Sequence, residues 1–152
     1  MKQNLGFSLI EMIVVVGLVG ILMVSGVAIF LNMAQISVKN KALLTVKQSG
    51  NFALDFIDKK IRNAKSVVVN GNSLLVTEQD GSVKTLACSV GFNHLTYDTV
   101  RIINDSNLIM SECLVSLIGT KRANVTFKLE WIGLVEPETF SQEMTLRNYQ
   151  TP

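Results

Sequence analysis

The chain has 152 residues, of which 48% are hydrophobic and 17% charged, with a mean hydropathy of +0.36 and a formal charge of +2. It is long enough for one domain with a real core and too short for two comfortable ones, and its apolar excess over an average soluble domain belongs in a membrane. The near balance of charge argues against a dedicated nucleic-acid binder, and two cysteines at no zinc spacing, one histidine and two prolines exclude disulfide-dense, histidine-metal and low-complexity scaffolds.

Residues 12–31 read MIVVVGLVGILMVSGVAIFL, a run whose only polar side chain is Ser25 and whose helical length, about 30 Å, is that of one bilayer core. Glu11 stands just inside it. A carboxylate facing lipid costs roughly 2.5–3.5 kcal/mol at a helix centre and less near an end, so Glu11 needs a partner or a job. Three readings of the segment compete. A secretory signal would use Lys2 as its basic region and Gly26-Val27-Ala28 as its cleavage site, but Glu11 interrupts the apolar region and the run continues through Ile29, Phe30 and Leu31. A plain membrane anchor would leave Glu11 at the interface. Its orientation is unset, because Lys2 lies on one side and Lys39, Lys41 and Lys47 lie on the other.

The third reading is more specific. Residues 6–22, GFSLIEMIVVVGLVGIL, closely resemble the processing and assembly signature of type IV pilins and type II secretion pseudopilins. The resemblance implies cleavage by a prepilin peptidase after Gly6, N-methylation of the new N-terminal Phe7, and an assembly role for Glu11 toward the N-terminal amine of a neighbouring subunit. Two groups that are each costly in an apolar medium gain most by pairing. Many family members carry a proline in the apolar helix; this chain has none before Pro137, which leaves Gly17, Gly20 and the Ser25-Gly26 pair as the places for a kink.

Beyond Leu31 the pattern stays helical but turns amphipathic, with Leu43, Val46, Gly50, Ala53, Ile57, Ile61 and Ala64 forming a stripe that should pack on a domain. Asp55 with Lys59 and Asp58 with Arg62 stand in the favourable i,i+4 order on the solvated face. One helix is expected from Phe7 to about Lys65, on the order of 90 Å long. Residues 39–65 carry seven basic against two acidic side chains, a balance of +5, and residues 66–152 carry −3. A basic helix and an acidic head could aid stacking or attract anionic lipid or DNA; an ordinary solvated face is the simpler reading.

After Lys65 the period moves toward two and β-branched residues increase. Strands are expected near 66–69, 74–77, 83–88, 99–103, 108–110, 114–118, 124–132 and 140–147. Turn signals fall at Asn70-Gly71-Asn72, Asp80-Gly81, 104–107 and Gly119-Thr120-Lys121. Val125, Phe127, Leu129 and Trp131 alternate with polar neighbours and should cover the helix stripe. Helix first and antiparallel meander after is α+β, with the helix packed on a β-sheet head, as in pilins. The closing FSQEMTLRN resembles the end of many minor subunits.

Cys88 and Cys113 stand 25 positions apart on candidate strands. A disulfide between them, in an oxidising space, and two buried thiols are both open. His94, in an expected loop beside Tyr97 and Asp98, lacks any nucleophile or metal signature around it, so no catalytic residue is assigned. Glu136-Pro137-Glu138 and the Asp105 turn lack the acidic spacing of a calcium loop and read as polar turns. No cofactor or metal is implied.

The resemblance thus implies a structural subunit rather than an enzyme. Its parts would be a leader at 1–6, a transmembrane and assembly helix at 7–31, its amphipathic continuation at 32–65 and a head at 66–152. Its partners would be prepilin peptidase, other pilin or pseudopilin subunits, the inner-membrane assembly platform and membrane lipid. It would sit in the cytoplasmic membrane as a single pass with an extracytoplasmic head before joining a pilus or pseudopilus. A non-polymerising anchored binding module and a DNA-uptake subunit that contacts DNA are the alternatives.

Overall fold

The computed structural model describes residues 8–89, 94–119 and 121–147. The chain forms α1 (Leu9–Arg62), β1 (Ser66–Asn70), β2 (Ser73–Thr77), β3 (Val83–Ser89), β4 (His94–Tyr97), β5 (Val100–Arg101), β6 (Leu108–Ile118), β7 (Arg122–Trp131) and β8 (Glu138–Thr145). It divides into two compact units, Met1–Asn40 and Lys41–Pro152.

In the first unit every described side chain is exposed, and α1 runs unbroken through Gly17, Gly20 and Gly26. Ser25 turns its hydroxyl back onto the Ile21 and Leu22 carbonyls at 3.1 and 3.0 Å. Its polarity is thereby absorbed by the helix, as an apolar surround requires.

The second unit is an α+β head. The α1 side chains Ala42, Val46, Gly50, Ala53, Leu54, Ile57 and Ile61 are buried. Leu43 of the expected stripe is only half-buried and Ala42 takes the inward place. The helix ends at Arg62 rather than near Lys65, because the Lys65 amide already donates to the Thr77 carbonyl at 2.8 Å and so belongs to the sheet. Of the two expected helix-face pairs, Asp58–Arg62 closes at 2.8 Å, whereas Asp55–Lys59 is not among the ion pairs of the described residues.

The expected single meander is two antiparallel sheets, β1-β2-β3-β4-β5 and β6-β7-β8. One core cluster joins them to the helix, from Val46 and Ile57 through Leu74, Leu86 and Leu95 to Met110, Val125, Phe127 and Phe140. Residues 108–118 form one strand, not two. A register shift between Met110 and Glu112 moves the inward set from Leu108 and Met110 to Cys113 and Val115, and that change of phase imitates a break. The expected 99–103 strand contracts to Val100–Arg101, because Asp98 and Thr99 form a two-residue hairpin turn with Asp98 at φ 60°. His94, expected in a loop, instead opens β4 opposite Ser89.

Cys88 and Cys113 are bonded, with Cα atoms 5.6 Å apart, and tie β3 of the first sheet to β6 of the second. Asn72 reinforces that seam. Its Nδ2 donates to the carbonyls of Cys113 and Cys88 at 3.0 and 3.4 Å.

Helix and second sheet come close at Gly50. A Cβ placed there would overlap the edge of the Phe140 ring, which itself stacks on Phe127 at a centroid distance of 5.5 Å. Gly50→Ala is therefore expected to lower the denaturant stability of the detergent-solubilised chain by about 1–3 kcal/mol, despite a gain in helix propensity of about 1 kcal/mol. The loss should be smaller in a Phe140→Leu background. Equal losses in both backgrounds would show that Phe140 is not what excludes the methyl group.

Candidate processing and assembly site

Gly6 and Phe7, the expected cleavage and methylation positions, lie outside the described residues. The described part of the site begins at Ser8, which caps α1. Its carbonyl accepts from the amides of Glu11 and Met12 at 3.1 and 3.2 Å, and its Oγ accepts weakly from the Glu11 amide at 3.4 Å. Ser-x-x-Glu before an apolar run is the spacing of a capping box, so this role of Ser8 was legible in the sequence but absent from the residue-type reading.

Glu11 occupies the first turn, where the helix dipole favours a negative charge. It is exposed, and among the described residues its carboxylate has no hydrogen-bond or ion-pair partner. No other charged side chain occurs until Lys39, so Glu11 heads a charge-free stretch, residues 12–38, of about 40 Å. The helix is apolar and long enough to cross a membrane. That agrees with membrane anchoring.

The basic side chains of α1 are partly committed within the head. Lys47 pairs with Glu138 at 3.2 Å, Lys60 with Glu78 at 2.9 Å, and Arg62 with Asp58. The expected contrast of basic helix and acidic head is thus spent in part on holding one to the other.

A groove of about 550 Å3 in the head is lined by Phe56, Lys59, Lys60, Asn63, Glu78 and Asp80. Its central groups satisfy one another. Lys60 Nζ and Tyr97 Oη both donate to Glu78 Oε1, at 2.9 and 2.8 Å, and Lys60 lies 5.0 Å above the Tyr97 ring centroid. The Lys60 and Tyr97 hydrogen bonds hold the Glu78 carboxyl below its ordinary 4.5. Burial, then the Glu78 carboxylate, push the Tyr97 hydroxyl well above its ordinary value. A committed anion and a phenol that keeps its proton make a latch from helix to sheet, not an acid–base pair.

Among the described residues no group of three His, Cys, Asp or Glu side chains is placed to hold a metal ion. Asp105 turns its Oδ1 onto the Asn107 amide at 2.9 Å, an Asx turn, and Glu138 is engaged by Lys47.

Two measurements test these assignments. Ser8→Ala is expected to speed hydrogen exchange at the Glu11 amide about fivefold, the equivalent of a cap worth about 1 kcal/mol, in the micelle-bound chain; unchanged exchange would remove Ser8 from that role. The ionised Glu78 stabilises the fold above the carboxyl's unfolded value of 4.5, and this contribution is lost as pH falls through the lower folded value. The stability advantage of the wild type over Glu78→Gln should therefore be full at neutral pH and shrink below about pH 4.5. A difference that stays constant with pH would show that the charge on Glu78 contributes nothing.

Residues 1–27 match a family model described as the prokaryotic N-terminal methylation motif. No curated protein and no solved structure gives a significant match. The motif implies processing by a prepilin peptidase and assembly with other pilin subunits. Together, the motif at residues 1–27 and the helix-first α+β architecture support a type IV pilin-like family for this chain.

Proposed function

We propose that the chain is a structural prepilin-like subunit and not an enzyme, cleaved between Gly6 and Phe7, N-methylated on Phe7 and polymerised into a type IV pilus or type II secretion pseudopilus. Residues 1–6 are the leader. Residues 7–31 span the cytoplasmic membrane once, 32–65 continue the helix, and 66–152 form the extracytoplasmic head. Among such subunits we place it with the minor ones, on the resemblance of its closing FSQEMTLRN segment.

The observation that carries this reading is the Glu11 carboxylate, unpartnered among the described residues, at the head of a charge-free helix. A bilayer penalises a lone carboxylate, and cleavage after Gly6 would create a matching amine four residues away in sequence. On a helix the i,i+4 spacing also lets that amine reach Glu11 within one chain, and we take the pairing with the N-terminus of a neighbouring subunit, which the pilin resemblance implies, as the one that serves assembly. Pairing replaces two costly charges in a low-dielectric medium by one neutral contact, and it drives a subunit waiting in the membrane to dock. The peptidase and the inner-membrane assembly platform are the partners that this sequence of events requires.

Mass spectrometry of the membrane-extracted chain, with and without co-expressed prepilin peptidase, tests the reading. The expected mature chain begins at N-methylated Phe7 only when the peptidase is present, and Glu11→Ala leaves cleavage largely intact while abolishing recovery in sheared filaments. An intact Met1 in the presence of peptidase would return the protein to a plain anchored module. Normal incorporation of Glu11→Ala would remove Glu11 from assembly.

A further inference from the structure

The head carries an exposed apolar turn that neither the helix nor the sheets require. Between β7 and β8, residues 131–137 read WIGLVEP. The turn is firmly built: the Trp131 carbonyl accepts from the Leu134 and Val135 amides at 3.1 and 3.4 Å, the Ile132 amide donates to the Asn107 carbonyl at 3.1 Å, and Gly133 takes φ 70°. Trp131 packs in part against the core, while Ile132 and Leu134 remain 54% and 37% exposed. Ordered exposure of two branched aliphatic side chains beside a tryptophan suits an apolar–aqueous boundary better than water.

Its place within the head is fixed by β8. That strand begins beside Lys47, through the Glu138 ion pair, passes Gly50 at Phe140, and leads to Arg147, whose amide donates to the Arg62 carbonyl at 3.3 Å. β8 therefore runs alongside residues 47–62 in the same direction, and the 131–137 turn that precedes it lies at the Lys41 end of the head. Lys41 follows the charge-free stretch, which ends at Val38, by three residues, a chain reach of about 10 Å at most. The hydrocarbon core takes about 30 Å of that stretch, about 40 Å long as a helix, which leaves its last residues and the Lys41 end of the head at headgroup level.

We infer that the 131–137 turn is a membrane-interface contact of the unassembled subunit, with Ile132 and Leu134 in the headgroup layer and Trp131 at its edge. This rests on the proposed insertion of the helix and adds a second, peripheral point of attachment. Tryptophan is favoured at that depth. Glu130 and Glu136 flank the turn and stop it from entering the hydrocarbon, and with Lys41 at the same end of the head the local charges largely offset, which suits a zwitterionic surface as its lipid partner. Two points of attachment fix the tilt of the head on the membrane, which a single helical tether does not.

Trp131 is the sole tryptophan of the chain and reports its own surroundings. The full chain is reconstituted at high lipid excess into phosphatidylcholine vesicles whose acyl chains are brominated either near the ester or near the methyl end, and insertion is scored by flotation after alkaline wash. Trp131 emission is expected to fall by about half with the shallow bromines and little with the deep ones, as for an interfacial tryptophan. The double variant Ile132→Asp, Leu134→Asp should still float and lose this quenching. Chain that floats with unquenched Trp131 overturns the contact and leaves insertion standing; chain that fails to float overturns both. Quenching that survives the double variant overturns the role of Ile132 and Leu134. Protection of Trp131 that grows with protein density at fixed lipid assigns the turn to a subunit contact instead, and also overturns the inference.

Discussion

A helical surface with one carboxylate at its start and no other charge for about 40 Å has no stable place in water, and most of the chain's organisation follows from that constraint. Residues 12–31 offer no side-chain polarity but Ser25, and Ser25 is turned inward onto the Ile21 and Leu22 carbonyls. The helix thereby presents lipid with a surface free of unsatisfied groups. Glu11 is the exception, and its position in the first turn reduces its cost without removing it. On the proposed function, what remains of that cost would be the thermodynamic drive available to assembly.

The head solves a different problem, that of covering one face of residues 41–62 with two sheets that do not belong to one meander. The helix supplies small residues where a sheet comes close, Gly50 under Phe140 and Ala53 within the cluster, and larger ones where it must fill space, Ile57 and Ile61. The Lys60–Glu78–Tyr97 cluster fastens the last turns to the first sheet, and the Lys47–Glu138 pair lies where the second sheet begins. The two sheets are joined by the Cys88–Cys113 bond and by Asn72. Since Asn72 grips both cysteine carbonyls from the backbone side, the seam has a register that does not depend on the sulfur atoms.

Much of this was legible in the residues. The helix showed itself through an apolar run that passes into a three-to-four spacing, and the turns through Asn-Gly and Asp-Gly pairs, at which Gly71 and Gly81 take positive φ. β7 announced itself by strict alternation from Val125 to Leu129. What failed did so for identifiable reasons. The bulge after Met110 shifts the alternation by one residue and looks like a gap. β4 is four residues long and begins with a histidine, too little to register as a period. Two sheets in place of one arise because β5 and β6, though consecutive, do not pair, a long-range outcome to which local spacing is blind. At the N-terminus the motif was legible at Gly6, Phe7 and Glu11, whereas the cap at Ser8 asked for attention to backbone donors instead of side-chain chemistry.

The close approach at Gly50 also bears on geometry beyond stability. A helix held against a sheet only by aliphatic side chains can roll by several degrees at little cost, because dispersion contacts are individually weak and broad. An aromatic ring whose edge closes on Gly50, itself stacked on Phe127, resists such rolling more than aliphatic contacts do, because a close-packed ring has little room to yield. The azimuth of that part of the helix is thereby locked, and with it the direction in which Leu44 and Phe52, both exposed, point outward. In a helical polymer the angular setting of each outward face decides the twist between successive copies, so in the polymer proposed above a missing side chain at Gly50 would become a determinant of pitch.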